Sequence, residues 1–463
     1  MRNLTKAYLA DHKFHRMVFH IALPITLQMI LTNGLSFVDT MMIGRLGEVE
    51  VAAVGLANQM FFLVFLIFFG ITSGTGIFVA QYWGDRDVQG IHKVMGLSLI
   101  GVLLFSIPFA LVSFAIPKTL MRLFSPDALV VAQGAEYLRI IAPSYIFSGI
   151  SFAFAMGLRS IERPRVPLLA TAISMSLNTV LNLILIFGMF GAPALGVRGA
   201  AIATCISRAV ELLVILSLIY GRKMPVAASL ADYLNFDQEL IRRFIKTAGP
   251  VLMNEVVWSL GMVVYKVVYA RMGTDVIAAA NVTEAIQGLF FTILTGTGNT
   301  AAIMIGKKIG EKQQEEAEIY GRYFLIQSTI FGFLLGMLMA ATAPLIVRLL
   351  KMDPNTVILV RQTLLALAIL VPLKSINIHL IIGILRSGGD TTFAFLSEFV
   401  GVWAIGVPMA ILSGLVLRWP LPYVCLLVGL EEIYKWILMS WRFVSGKWLN
   451  DLTRSSHTST VEE

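Results

Sequence analysis

Charge is scarce in this chain. Lys, Arg, Asp and Glu together make up 14% of its 463 residues, hydrophobic residues make up 57%, and the mean hydropathy is +0.80. A soluble domain has about a quarter of its residues charged, so a soluble enzyme or binding module of this length is excluded. Cysteine is nearly absent as well. Cys205 and Cys425 both fall in apolar runs, which gives neither a disulfide framework nor metal-ligand spacing. No glycine-rich loop is followed by the lysine of a phosphate site, so the chain carries no ATP engine. The Gly-x-Gly pairs at 74–76 and 296–298 lie inside apolar runs and not after a strand, which argues against a dinucleotide site. A nucleophile elbow is missing too, and no catalytic residue is expected. The charged residues near Met1 lead into a long apolar run with no small-residue cleavage site. That run is therefore expected to be retained, and not removed as a signal peptide.

What the chain has instead is apolar runs long enough to span a bilayer, from one end to the other. They are continuous and not alternating, which disfavours a β-barrel. Twelve spans are expected. Six lie near 17–40, 51–80, 94–117, 128–157, 166–190 and 198–220. Six more lie near 247–271, 277–305, 321–350, 357–385, 392–416 and 421–444. The polar stretch 221–246 reads as a linker with a short amphipathic helix. It separates a first lobe, 1–220, from a second, 247–445. A polar tail, 446–463, follows, and its end from Ser455 to Glu463 is expected to be disordered.

The two lobes repeat one another. Ala22-Leu23-Pro24 is echoed by Ala248-Gly249-Pro250, Gly47 by Gly273, Gly70 by Gly296 and Gly84 by Gly310, all at an offset of 226. Leu158-Arg159-Ser160 meets Leu385-Arg386-Ser387 at 227. A membrane chain made of two matching halves is a common plan of secondary transporters, with substrate bound near mid-membrane at the repeat interface. The matched Pro24 and Pro250 point to a hinge or bend in each half.

The net charge of +8 has a membrane explanation. Lys and Arg number 22 in one alternating set of loops and termini, and 8 in the other. By the positive-inside rule both termini and the 221–246 linker face the cytoplasm. The site is then a cell membrane crossed many times. No basic cluster is interleaved with aromatics, so a nucleic-acid partner is not expected.

Polar residues inside spans are costly and draw attention to function. Asp39 is the sharpest in the first half. It reads either as a carboxylate near the outer interface, solvated or paired with Arg45, or as a buried one that carries a proton or ligates Na⁺. Asn178 and Asn182 are four apart on one helical face of an apolar run. They serve either interhelical hydrogen bonding or, with Asp39, an oxygen site for a hard monovalent cation such as Na⁺. Glu255 is the matching signal in the second half, with Trp258 and Met262 on its face. An acid beside an apolar, polarizable stripe suits a lipophilic organic cation, and Glu284 and Gln287 are candidates for the same cavity. The alternative is that Glu255 pairs with Lys266 or with a neighbouring helix. Arg208–Glu211 and Glu432–Lys435 read as local ion pairs. Arg139, Lys374, His379 and Glu398 have no clear role from the sequence.

Several motifs resemble the MATE (multidrug and toxic compound extrusion) family in its prokaryotic NorM/DinF-like form. They are Val38-Asp39-Thr40-Met41-Met42-Ile43-Gly44-Arg45-Leu46-Gly47, Leu158-Arg159-Ser160, Leu385-Arg386-Ser387-Gly388-Gly389-Asp390-Thr391 and Gly196-Val197-Arg198-Gly199-Ala200-Ala201-Ile202-Ala203-Thr204. The resemblance spans about 15–445. It implies an all-α integral membrane fold, with twelve transmembrane helices in two pseudo-symmetric six-helix bundles. It also implies alternating-access export in exchange for H⁺ or Na⁺, without a bound cofactor, by a monomer in the cytoplasmic membrane. Asp39 matches the family's first-helix acid, Asn178 and Asn182 its fifth-helix polar pair, and Glu255 the seventh-helix glutamate of the NorM-like branch. Thr204 and Tyr145 join Asp39, Asn178 and Asn182 in the expected cation-coupling set. The tenth-helix acid of that branch has no counterpart in Leu373–Gly383, so coupling is expected in the first lobe. The alternative, a lipid-linked oligosaccharide flippase of the same superfamily, calls for a basic cavity. Here the interior acids outnumber the free bases.

Overall fold

A computed structural model describes residues 2–348 and 353–453. The Ser455–Glu463 tail and Lys351 lie outside the described residues. The described residues form helices joined by short loops, with no strand among them. Short α1 (Arg2–Ala10) leads into α2 (His12–Gly44), α3 (Glu48–Asp85) and α4 (Val88–Ala115). A short α5 (Pro117–Arg122) precedes α6 (Ala128–Ser160), α7 (Arg165–Phe187) and α8 (Val197–Gly221). The linker holds α9 (Leu230–Leu234). The second half runs through α10 (Gln238–Met272), α11 (Thr274–Gly310), α12 (Gln314–Arg348) and α13 (Pro354–Ile378), which continues as a π-helix over His379–Arg386. Next come α14 (Thr391–Phe399), which passes through a π-helical stretch into α15 (Val407–Ile411), and then α16 (Leu421–Val428) and α17 (Leu430–Val444). Among the described residues, eleven helices are long and apolar enough to cross a membrane. The expected span 421–444 is divided at Gly429 into α16 and α17.

The repeat is written into the helix starts. Asp11 accepts from Phe14 N at 2.9 Å and opens α2; Asp237, 226 residues later, accepts from Leu240 N at 2.7 Å and opens α10. Each cap satisfies an amide that has no partner in the first helical turn. This cap is why α10 starts at Gln238, well before the expected 247, and takes the basic patch of Arg242, Arg243 and Lys246 into a helix. Gly47 and Gly273, also 226 apart, precede α3 and α11 with φ of +150° and +145°, a backbone region that favours glycine. Asp127 and Asp353, again 226 apart, cap α6 and α13.

The later Leu-Arg-Ser motifs stand 227 apart, so the second half gains one residue inside this helix. The π-helix His379–Arg386 lies there. A π-turn holds one residue more than an α-turn and keeps the helix unbroken.

The chain divides into two compact units, Leu23–Leu252 and Met1–Ala22 with Met253–Glu463. The divisions fall inside α2 and α10, beside Pro24 and Pro250, and not in the linker. Inside the first unit, α3 lies close against α10: a Cβ on Gly70 would meet Leu252, and one on Gly74 would meet Ala248. The linker also belongs to this unit. Ser229 and Asp232 form a capping box on α9, and buried Tyr233 packs its backbone onto Gly96 of α4. In the second unit, Tyr8 and Phe14 make edge contacts with Tyr323, and Phe14 also packs on Phe324.

Candidate functional site

In the Leu23–Leu252 unit, α2, α7 and α8 meet along a polar seam. Asp39, in the last turns of α2, is half-buried. Its Oδ1 accepts from Asn182 Nδ2 at 2.6 Å. Asn182 Nδ2 also donates to Asn178 Oδ1 at 3.0 Å, and Asn178 Nδ2 donates to Thr204 Oγ1 at 3.4 Å. The asparagines are four apart on α7, one turn of helix, and both are buried. Asn182 Oδ1 is buried with no hydrogen-bond partner. A buried amide oxygen without a partner is uncommon and calls for an explanation. It leaves a spare oxygen close to a carboxylate, and oxygen donors of this kind suit a small hard cation.

Asp39 opens onto a cavity of about 470 Å³. Asn33, Ser36, Asn58, Tyr137 and Thr204 supply polar lining, and Phe61, Phe62 and Phe65 supply an aromatic wall. The asparagines stand behind Asp39 and outside the lining. The structure thus brings Asp39, Asn178, Asn182 and Thr204 together. Tyr145 does not line this cavity. It is buried against Phe61, and its hydroxyl has no hydrogen-bond partner. The tyrosine that does reach the cavity, Tyr137, carries no signal in the sequence that sets it apart from its neighbours. Arg45 is not the partner of Asp39, since the carboxylate is held by an amide.

In the other unit, Met262, Glu284 and Gln287 line a smaller cavity of about 140 Å³, together with Tyr265, Lys266, Lys374, Glu431 and Glu432. Glu255 and Trp258 are not in that lining. Glu255 Oε1 pairs with Arg386 Nη2 at 2.9 Å, and Trp258 packs against the apolar cluster around Val402 and Val407. Lys266, the alternative partner from the sequence, pairs instead with Glu284 at 3.0 Å. Deeper in this unit Lys435 stands between Glu431 and Glu432, at 3.7 and 3.3 Å. Tyr265 donates to Glu431 at 2.8 Å, and Asn377 donates to Glu432 at 2.7 Å. Sequence reasoning saw Glu432 and Lys435 as a local pair. Glu431 is a further local partner on α17, four residues before Lys435, whereas Tyr265 and Asn377 come from two other helices, α10 and α13, and have no local signature. Glu398 accepts from Asn254 at 3.0 Å. His379 is buried, with Nδ1 2.9 Å from Ser375 O and its ring stacked on Phe324, a packing role.

A family model described as MatE matches residues 24–184 and 250–412, one stretch in each half. Similar curated proteins include an uncharacterized transporter, YisQ, of Bacillus subtilis, 25% identical over 440 residues that cover 95% of this chain and 96% of that one. The multidrug resistance protein NorM of Vibrio cholerae is 26% identical over 400 residues, 85% of this chain and 86% of its own. Among solved structures, the Vibrio cholerae MATE transporter VcmN in the bent form has a TM-score of 0.85 at 18% identity, over 95% of this chain and 99% of that one. That likeness is one of fold.

Proposed function

The chain belongs to the MATE family of membrane transporters, and from that premise we propose that it exports lipophilic, cationic compounds in exchange for H⁺ or Na⁺ by alternating access. Members of this family are transporters and not enzymes, and its NorM relatives are named as multidrug resistance proteins. The observation that carries the coupling role is Asp39. It is a carboxylate held by an amide, open to a cavity, with the spare Asn182 Oδ1 behind it. A proton or Na⁺ bound there neutralises a charge that the membrane interior disfavours. Loss of the cation restores the charge, so occupancy biases one conformation over another. Matched prolines beside both unit divisions supply places for α2 and α10 to bend.

The aromatic wall of Phe61, Phe62 and Phe65 supports binding of flat or lipophilic cations. Lys and Arg placement supports a cell-membrane protein with both termini in the cytoplasm. Asp39 then sits in the outer half of α2. A single chain carries the whole reading, which needs no second protomer. Efflux of a fluorescent cation from proteoliposomes, with pH and Na⁺ gradients imposed separately, tests it. One gradient is expected to drive export. Export under neither gradient, with correctly inserted protein, would sink the exchange mechanism.

A further inference from the structure

Asp39 and Arg208 are the two charged residues in the lining of the first-unit cavity. Opposite charges on one low-dielectric cavity attract strongly, yet these two are bonded elsewhere. Asp39 takes the amide of Asn182. Arg208 Nη1 takes Glu211 Oε2 at 2.8 Å. What holds them apart is a second polar layer on the same three helices. Glu211 Oε1 accepts from Thr171 Oγ1 at 2.8 Å, and Thr171 Oγ1 accepts from Gln28 Nε2 at 2.9 Å. Gln28 Oε1 in turn accepts from Arg159 Nη2 at 2.6 Å. Glu211, Thr171 and Gln28 are all buried.

The two layers are in register. Gln28 stands 11 residues before Asp39 on α2, and Thr171 stands 11 before Asn182 on α7. Eleven residues is close to three turns, so each pair shares a helix face. On α8, Thr204, Arg208 and Glu211 follow one another along one face. Arg208 therefore stands between the layers, one turn from Thr204 of the upper one, and is tied to Glu211 of the lower one.

We propose that Glu211 is a positioning residue for cation coupling: it holds Arg208 away from Asp39 and so keeps the Asp39 carboxylate free for the driving cation. This rests on the reading of Asp39 as the coupling acid. An arginine always carries its charge, on a long flexible stem. Released on this cavity, its guanidinium would satisfy Asp39 with two hydrogen bonds and leave a proton or Na⁺ nothing to neutralise. Glu211 is well suited to the restraint, because Thr171 fixes its other oxygen and Gln28 and Arg159 fix Thr171.

The test is efflux from proteoliposomes across a range of driving-cation concentrations, with size-exclusion profiles reporting the folded state. Glu211→Gln keeps the shape and loses the hold. It is expected to raise the half-saturating concentration of the driving cation at least tenfold. Arg208→Gln/Glu211→Gln removes the competitor together with its anchor, and is expected to recover most of that loss. Glu211→Asp keeps the charge and is expected to stay near the wild-type value. Wild-type behaviour of Glu211→Gln overturns the proposal. So does a folded double variant no better than the single one, which would make Glu211 a packing residue or a proton carrier. Failure of both Gln variants to fold makes it a structural residue and overturns the proposal as well. Asp39→Asn in the same series separates the two claims: if it transports normally, the reading of Asp39 fails, whereas the role of Glu211 is decided by its own variants.

Discussion

Where the first half has Asp39, the second has Tyr265, 226 residues later; where the first has Thr204, the second has Glu431, 227 later. An acid and a hydroxyl have changed places between the first and last helices of the repeat. Other polar positions correspond at the same offsets: Gln28 with Asn254, Thr171 with Glu398, Arg159 with Arg386, and Arg208 with Lys435. The contacts correspond too. Gln28 donates to Thr171, and Asn254 donates to Glu398. The halves differ in what faces their acids. In the second, Glu431 and Glu432 flank Lys435, and Glu255 faces Arg386. In the first, Glu211 has Arg208 against it, but Asp39 faces the Asn182 amide and a cavity. An acid with a cationic side chain of its own against it, as Glu255 has, is already neutralised and needs no ion from outside; Glu431 and Glu432 share the single charge of Lys435. Asp39, held by an amide, has no such charge bonded to it. On the function proposed above, the same framework serves packing in one half and exchange in the other.

The comparison breaks most visibly at Asp39. Asp39→Asn keeps the hydrogen-bonding shape and can neither take a proton nor hold Na⁺ against a charge. Efflux is expected to fall to the level of empty liposomes, while Glu431→Gln, at the corresponding site, keeps gradient-driven efflux. Equal losses in both variants would show that the halves share the coupling and that the contrast drawn from their partners is wrong.

Next in size is stability. Arg386→Gln leaves the largely buried Glu255 carboxylate, 14% exposed, without its cation, and breaking a buried pair costs about 3–5 kcal/mol. The expected result is a clear drop in the thermal unfolding midpoint. Glu255→Gln/Arg386→Gln removes both charges and should recover part of the drop. The sequence suggested a cavity role for Glu255, in which case Glu255→Gln would change affinity for cations more than for neutral compounds of similar size. With Glu255 on Arg386 and outside the cavity lining, that ratio is expected to stay unchanged.

The fold was legible because its signals are long and repeated. Apolar runs of about 20 residues mark spans wherever they occur, and the offset of 226 ties Asp11 to Asp237 and Asp127 to Asp353 as caps. Asp39, Asn178 and Asn182 were legible for a related reason: polar groups in apolar runs stand out singly. Partners were harder to read. Glu255 stands one turn from Trp258 and near Lys266 in sequence, but its cation comes from a π-helix 131 residues away. Arg208–Glu211 looked like a local pair and is one, yet its link through Thr171 and Gln28 joins three helices. Spacing along one helix identifies a face. It does not say which neighbour that face meets.

A smaller effect sharpens the picture of the first half. Asn182→Ala removes the amide that donates to Asp39 and the spare oxygen behind it, without touching a titrating group. Loss of an oxygen ligand weakens metal-ion binding by roughly tenfold or more, so under a Na⁺ gradient a rise of about that size in the half-saturating Na⁺ concentration is expected, with a smaller change under a proton gradient because the amide does not titrate. Maximal efflux at saturating gradient is expected to change little. Loss of maximal efflux with an unchanged half-saturating concentration would move Asn182 from ligand to conformational element.

The smallest effect belongs to Glu284. It lines the second-half cavity with Glu431 and Glu432 and is the exposed one of these three acids, the one a cationic substrate would meet first. Lys266 already stands 3.0 Å away, and both side chains are about half exposed, 50% and 57%. An exposed pair of this kind is worth about 0–1 kcal/mol, because water solvates either charge nearly as well as the partner does. Glu284→Gln should therefore leave the thermal midpoint unchanged within error. Its effect on binding should be equally modest: the carboxylate that a cation would seek is half-neutralised by Lys266, and removing it takes away little net attraction. The comparison is the ratio of binding constants for a permanently charged compound and a neutral one of similar size, in wild type and Glu284→Gln. A change of two- to threefold or less fits a cavity whose acids are already answered by bases. A large selective loss of the cation would make the second half a substrate site in its own right, and Glu284 the exception among its acids.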